Sequence, residues 1–288
     1  MKPIVILVLF LTSLPFTNFA QDDLLSLLEE GEETEAEFAL ATFKGSRLIN
    51  GHTVMTRRGG TLEFLIAHRF GRINSGAYEL FGLDNANVRF GVDYGLSDNV
   101  TVGLGRNSFE KTYDAFAKVA LLRQQTGKQD IPVSVTGFFS VAAKTLRSTS
   151  PEVELSFSDR LSYTYQVLVA RKFNDALSLQ LMPTYIHYNL VERPEQDNDL
   201  LSVGIGGRMK VSKRMSINME YYARFGDQEQ DDLHDALAIG IDLETGGHVF
   251  QFQFTNSRAM IEKGFIRETT GDFFSGDIHL GFNITRTF

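Results

Sequence analysis

The chain has 288 residues, no cysteine, no tryptophan and a formal charge of −8. That length allows one large all-β domain or two ordinary ones. Without cysteine there is neither a disulfide framework nor a lipidated cysteine, and the acidic balance lacks the basic footprint that nucleic acid requires, so no nucleic-acid partner is expected.

Residues 1–20 read as a secretory signal: Lys2, an apolar run from Ile4 to Leu14, and Ala20 before the expected cleavage at Gln21. No later apolar run approaches the roughly 18 residues of a membrane helix. A helical membrane protein is excluded; a membrane barrel is not.

Residues 21–60 form a second unit, an acidic N-terminal segment that would lie in the periplasm or fold up as a plug. Its stretch Asp22–Glu37 holds eight acids and no base, which accounts for the whole net charge. DDLLSLLEEGEE would make a short amphipathic helix capped by Asp22, or a solvated acidic tail. From Phe38 to Gly60 the pattern is irregular, with room for one short strand.

From Thr61 to Phe288 one theme repeats: twelve stretches with a two-residue period. The first carries Leu62, Phe64, Ile66 and Phe70 on one face, the second Val88, Phe90, Val92 and Tyr94, the third Val100, Val102 and Leu104, and the fourth Tyr113 to Leu121. The fifth has Val133, Val135, Phe139 and Val141, the sixth Leu161 to Phe173, the seventh Leu177 to Tyr185 and the eighth Leu201 to Val211. The ninth has Met215 to Tyr221, the tenth Leu237 to Leu243, the eleventh Phe250, Phe252 and Phe254, and the last Ile278 to Phe288. The opposite faces are polar or tiny. Phe116, Phe138 and Ile186 are exceptions that fall on the polar side, and Pro183 must cost a ladder bond or mark a bulge.

A soluble barrel would alternate in the same way. Three features favour a membrane. The links after even-numbered strands are mostly tight turns (SDN, NDA, SKR, ETGG), whereas those after odd strands are mostly long, as on the two sides of an outer-membrane barrel. The strands number an even twelve and run to about ten residues. Tyr94, Tyr163, Tyr165, Phe173, Tyr185 and Tyr221 stand on the apolar face, several near strand ends, as in an interfacial girdle. The expected fold is therefore an all-β, antiparallel transmembrane barrel of about twelve strands in the outer membrane, with membrane lipid as its surroundings.

The predicted inner face gathers Glu63, Arg69, Arg89, Asp93, Lys118, Arg208, Lys210, Glu220, Arg224, Asp242, Asp277 and His279. These are candidate lumen-lining residues, since charge on the lipid face would be costly. They would line a polar path or fill a narrow barrel with ion pairs; twelve strands lie between a filled barrel of eight and an open one of sixteen.

The terminal Phe288, with apolar residues at alternate places before it, resembles the C-terminal signal read by the barrel assembly machinery. Arg286 departs from it and would snorkel to the headgroups. FKGSRLING, AHRFG, LFGLDNANVRFGVDYGLSDNVTVGLGR and FEKTYDAFAK are similar to an uncharacterised exported β-barrel family of Bacteroidetes-type bacteria. That resemblance implies the fold and compartment of a Gram-negative outer-membrane protein. It implies no catalytic residues.

Ser275, Asp277 and His279 share a face of the last strand, but residues two apart lie about 6.6 Å apart along it, too far for a nucleophile and its base. No catalytic residue is assigned. His187 and Asn189 lack a serine motif beside them. GLGR and VGIGGRMK open no helix and do not fit a phosphate loop; their alternate glycines make a stripe without side chains on the lumen side. The acidic loops ERPEQDND and GDQEQDDLHD lack calcium-loop spacing. No metal, cofactor or enzymatic activity is expected. The leading expectation is a barrel that passes or binds a small polar solute. A non-conducting barrel that docks a periplasmic protein through residues 21–60 stands second, and a membrane-embedded hydrolase third.

Overall fold

A computed structural model describes residues 36–127, 129–147, 155–191, 193, 196–226 and 232–288. The expected signal, residues 1–20, and most of the acidic stretch lie outside the described residues.

Twelve strands carry the wall. They are β1 (Leu62–Arg72), β2 (Ala86–Ser97), β3 (Val100–Asn107), β4 (Tyr113–Leu122), β5 (Ser134–Ala143), β6 (Leu161–Lys172), β7 (Leu177–Tyr188), β8 (Asp199–Lys210), β9 (Met215–Phe225), β10 (Ala236–Thr245), β11 (His248–Thr255) and β12 (His279–Thr287). Each pairs antiparallel with its sequence neighbours, and β12 pairs with β1, so the sheet closes. This is the predicted twelve-stranded barrel. Four tight turns stand at one end, which also holds the start of β1 and the end of β12; we call it the turn end and the other the loop end.

Closure extends to the last residue. Thr287 stands opposite Glu63, the Phe288 N–H donates to the Leu62 carbonyl at 2.8 Å, and the Leu62 N–H donates back at 3.3 Å. In hydrocarbon no sheet edge can stay unpaired, because nothing there replaces its hydrogen bonds.

Which face points in is visible in β2. Phe90 and Tyr94 are 50% and 41% exposed, while Arg89 and Asp93, on the other face, are fully buried. That is the inverse of a water-soluble barrel and suits a wall immersed in lipid. Tyr165, Phe173, Tyr185 and Tyr221 also face outward. Pro183 leaves a gap rather than a bulge: the β6–β7 ladder pairs Gln166 with Thr184 and Val169 with Leu181, skips the two positions between, and keeps its register.

Two segments fill the lumen. Residues 42–58 rise from the turn end, reverse at Leu48–Gly51 and descend again. The reversal is a small hairpin, with Leu48 N–H donating to the Gly51 carbonyl at 2.8 Å and Thr53 N–H to the Ser46 carbonyl at 3.0 Å. From the loop end the β11–β12 link dips inward with a short helix, α1 (Glu262–Arg267). This link reads in the sequence as an external loop. Instead Ala259, Met260, Ile261, Phe265 and Ile266 are buried, since outside they would expose a large apolar surface.

The inserts share one apolar cluster with the wall. Phe43, Leu48 and Val54 from the first and Ala259, Phe265 and Ile266 from the second pack with Phe116, Phe138, Met182, Ile186 and Tyr222. The three residues that break the polar inner face therefore belong to the seat of the inserts. Glycines on that face make room: a Cβ on Gly206 would come within 2.3 Å of Leu48.

Candidate functional site

The lower insert has little regular structure, so its backbone polar groups need partners. The wall provides them from side chains at alternate positions. Glu220 on β9 accepts the N–H groups of Asn50 at 2.8 Å, Gly51 at 3.2 Å and Ile49 at 3.3 Å. Gln180 on β7 accepts from Val54 N–H and donates to the His52 carbonyl, both at 2.8 Å. Lys118 on β4 donates to the carbonyls of Thr53 and Met55 at 3.1 and 2.5 Å. Asn283 on β12 donates to the Ile49 carbonyl and Gln251 on β11 to that of Leu48, each at 2.9 Å.

Of the candidate lumen-lining residues, four hold this insert directly. Besides Glu220 and Lys118, Arg69 donates to the Asn50 side-chain oxygen at 2.7 Å, and Glu63 accepts from the Ser46 hydroxyl at 2.6 Å while pairing with Arg57 at 2.9 Å. Nearer the turn end Arg208 donates to the Ala41 carbonyl at 3.2 Å and Asp242 accepts from Gln251 at 2.9 Å. Arg89 pairs with Asp114. Arg224 sits at the loop end against Asp235 and the Leu233 carbonyl. His279 is buried with Nδ1 2.8 Å from the Phe70 carbonyl oxygen.

Two placements differ from the sequence reading. Lys210 is exposed at the turn-end rim, because β8 ends there. Asp277 precedes β12 and stands at the loop end rather than on the lumen wall, pairing with Arg72 at 3.3 Å and accepting from Asn74 at 2.7 Å. Ser275 likewise lies in the loop, donating to Asp272 at 2.5 Å. Ser275, Asp277 and His279 thus hold three separate partners and form no triad.

The two inserts meet at charged groups that lie outside the periodic strands. Arg47 lies 3.5 Å from Glu262, and the His52 ring lies 3.8 Å from the same carboxylate. The ring is packed between Phe116 and Phe138, with centroids at 4.4 Å from each. Beside them is a cavity of about 10 Å³ lined by Arg47, His52, Asp114, Ser140 and Glu262, about the size of one water. Among the described residues neither carboxylate oxygen of Asp93 has a hydrogen-bond partner, nor does either ring nitrogen of His52.

Above α1 the barrel opens into a vestibule of about 900 Å³, lined in part by Lys144, Arg147, Arg160, Tyr188 and Arg267. Its floor is an ion cluster. Lys263 contacts Glu110 at 2.7 Å and Glu268 at 2.6 Å, and Lys144 contacts Glu110 at 2.5 Å. Burial would lift the Glu110 carboxyl, but the ammonium groups of Lys263 and Lys144 outweigh it and hold it below its ordinary value. Burial would likewise lower the Lys263 ammonium, and the carboxylates of Glu268 and Glu110 outweigh that and raise it.

A closed wall, apolar outside and polar inside, with chain folded into its lumen, defines a porin-like membrane β-barrel. The same fold is seen in the NanC porin (9% identity, 78% of this chain and 98% of that one, TM-score 0.50). Weaker likenesses, with TM-scores of 0.46, are to the KdgM porin (8% identity, 79% of this chain and 99% of that one) and to the COG4313 outer membrane channel from Pseudomonas putida F1 (14% identity, 81% and 97%). At these identities the likeness concerns the fold alone. No curated protein matches the sequence. The chain belongs to the family of the membrane bound beta barrel domain DUF5777, whose model matches residues 43–288. The match begins at Phe43, so nearly all of the lower insert is part of the domain.

Proposed function

We propose that the protein is an outer-membrane passage for small polar solutes, held closed here by its two inserts, with the turn end in the periplasm. The observation that carries this reading is the continuity of polar groups through the barrel. The vestibule reaches Lys263, the small cavity shares Lys263 and leads to Arg47 and His52, and Asp93, opposite Glu63 toward the turn end, has no hydrogen-bond partner among the described residues. A lumen built only to be filled would leave such buried polar atoms satisfied. The contact between Arg47 and Glu262 is where the two inserts meet on that line.

Planar-bilayer recordings test it. The mature protein should conduct rarely, and a variant lacking residues 42–58 should show stable single-channel steps. Loss of the Arg47–Glu262 contact in Arg47→Met should raise the open fraction. Absence of conductance in all three, with folding verified by heat-modifiable gel migration, would sink the passage.

One observation favours a second reading, a barrel that docks a periplasmic protein. Ala39 N–H donates to the Gln124 carbonyl at 2.8 Å, and Glu37–Phe38 pairs with Gln125–Thr126 in the β4–β5 link. The residues before the insert therefore leave at the turn end. Cross-linking in cells from a photoreactive group at position 38 would capture a partner on this reading, and only barrel and lipid on the first.

A further inference from the structure

The outer wall between β4 and β9 carries an apolar groove of about 750 Å³, a volume within the usual range of about 300–1,000 Å³ for ligand sites. Ala117, Gly137 and Pro183 are its small residues, and Phe139, Tyr165 and Phe225 are its large ones. It follows the gap in the β6–β7 ladder, where Pro183 supplies no N–H. Gly137 leaves real space: a Cβ there would meet only Leu121, at 3.9 Å.

At the loop-end margin of this groove, three outward-facing polar side chains converge. Asp199 accepts from the Tyr185 hydroxyl at 2.7 Å and lies 2.6 Å from His187 Nδ1. The His187 ring stacks toward Tyr163 at 6.3 Å, and Tyr185 itself lines the groove. Charge on a lipid-facing wall is tolerated only near the interface, which places this cluster at headgroup level with the groove running into the hydrocarbon. The site is polar at one end and apolar along its length.

We propose that this groove binds one acyl chain of a membrane lipid, with the lipid headgroup against the cluster of Tyr185, His187 and Asp199. The wall is bathed in acyl chains, so the ligand is at hand. What the site adds is a concave seat and hydrogen-bonding groups at its mouth. The proposal is independent of whether the lumen conducts.

The absence of tryptophan makes a single reporter possible. Leu201→Trp places one in the groove lining, and Phe254→Trp places a control on β11. In micelles freed of lipid, a brominated-acyl phosphatidylethanolamine should quench the first with a stoichiometry of one. The control should be quenched only at about tenfold higher lipid, a difference of about 1.4 kcal/mol. Adding Gly137→Phe to Leu201→Trp should move its quenching to the control curve, and His187→Ala should weaken the headgroup contribution several-fold. Heat-modifiable migration verifies that each variant is folded. Identical quenching at the two positions would overturn the proposal, as would an unchanged curve after Gly137→Phe. A groove that stays unquenched in a dimeric species would overturn it in favour of a second copy of the chain.

Discussion

The carboxylate of Glu220 on β9 and the backbone N–H of Asn50 lie 2.8 Å apart, with the N–H groups of Gly51 and Ile49 converging on the same two oxygens. Three donors at a chain reversal on one buried acid make Glu220 the main anchor of the lower insert. Glu220→Ala leaves all three without a partner, at about 1–3 kcal/mol each where water cannot reach. Hydrogen exchange at residues 49–51 should accelerate by about a hundredfold or more, while exchange in the strands stays slow. Unchanged protection at those residues would show that the insert is held elsewhere.

Gly51 fixes how closely that reversal approaches the wall. A Cβ there would lie 2.0 Å from the Tyr222 hydroxyl and 3.2 Å from its ring carbon. Gly51→Ala should displace the tip, a cost of about 1–3 kcal/mol, and render residues 42–58 sensitive to protease. Tyr222→Phe removes the nearer clash and should restore part of the resistance. A double variant no better than the single would point to backbone strain instead.

The vestibule floor should depend on pH in one direction. Glu110 is held below the ordinary glutamate value of about 4.3 by Lys263 and Lys144 against the effect of burial. A carboxylate with a depressed folded value stabilises above its unfolded value, and that stability disappears as pH falls through the folded one. Exchange at residues 108–112 and in α1 should therefore rise as pH drops below about 4. Glu110→Gln should flatten that dependence while raising exchange at neutral pH.

Arg286 faces outward near the end of β12, its guanidinium 4.7 Å from the Phe288 ring centroid, across the ladders from His248 and Phe64. A cation this near the interface costs only about 0–1 kcal/mol. Arg286→Ile should leave the heat-modifiable, folded fraction equal or higher. A severe assembly defect would mean that Arg286 meets a protein partner, such as the assembly machinery, rather than headgroups.

Strand number, order and facing were legible because a two-residue period leaves little freedom: Phe90 and Asp93 cannot both face lipid. The contents of the lumen were harder to read. Residues 42–58 follow no period, since their partners come from strands all around the wall rather than from a neighbour. Arg47 and His52 therefore look like ordinary loop residues until Glu262 is seen beside them. The β11–β12 link carried a signal that was easy to pass over: Met260, Ile261, Phe265 and Ile266 are too apolar for a solvated loop. Phe116, Phe138 and Ile186 carried the matching signal on the wall. Asp277 followed the alternation of β12 in the sequence, but the ladder begins only at His279, and its charge is used at the loop end instead.

The lower insert enters and leaves through the same mouth. It could be withdrawn whole, breaking side-chain bonds to the wall but no rung of the β1–β12 ladder. The few residues from Gly59 to Thr61 tie it covalently to β1, so a withdrawn insert would stay at the mouth as a tethered blocker. Its return would be an intramolecular event at a high effective concentration set by that short tether. Opening would then last only as long as something holds the segment out, and closure would need no signal of its own.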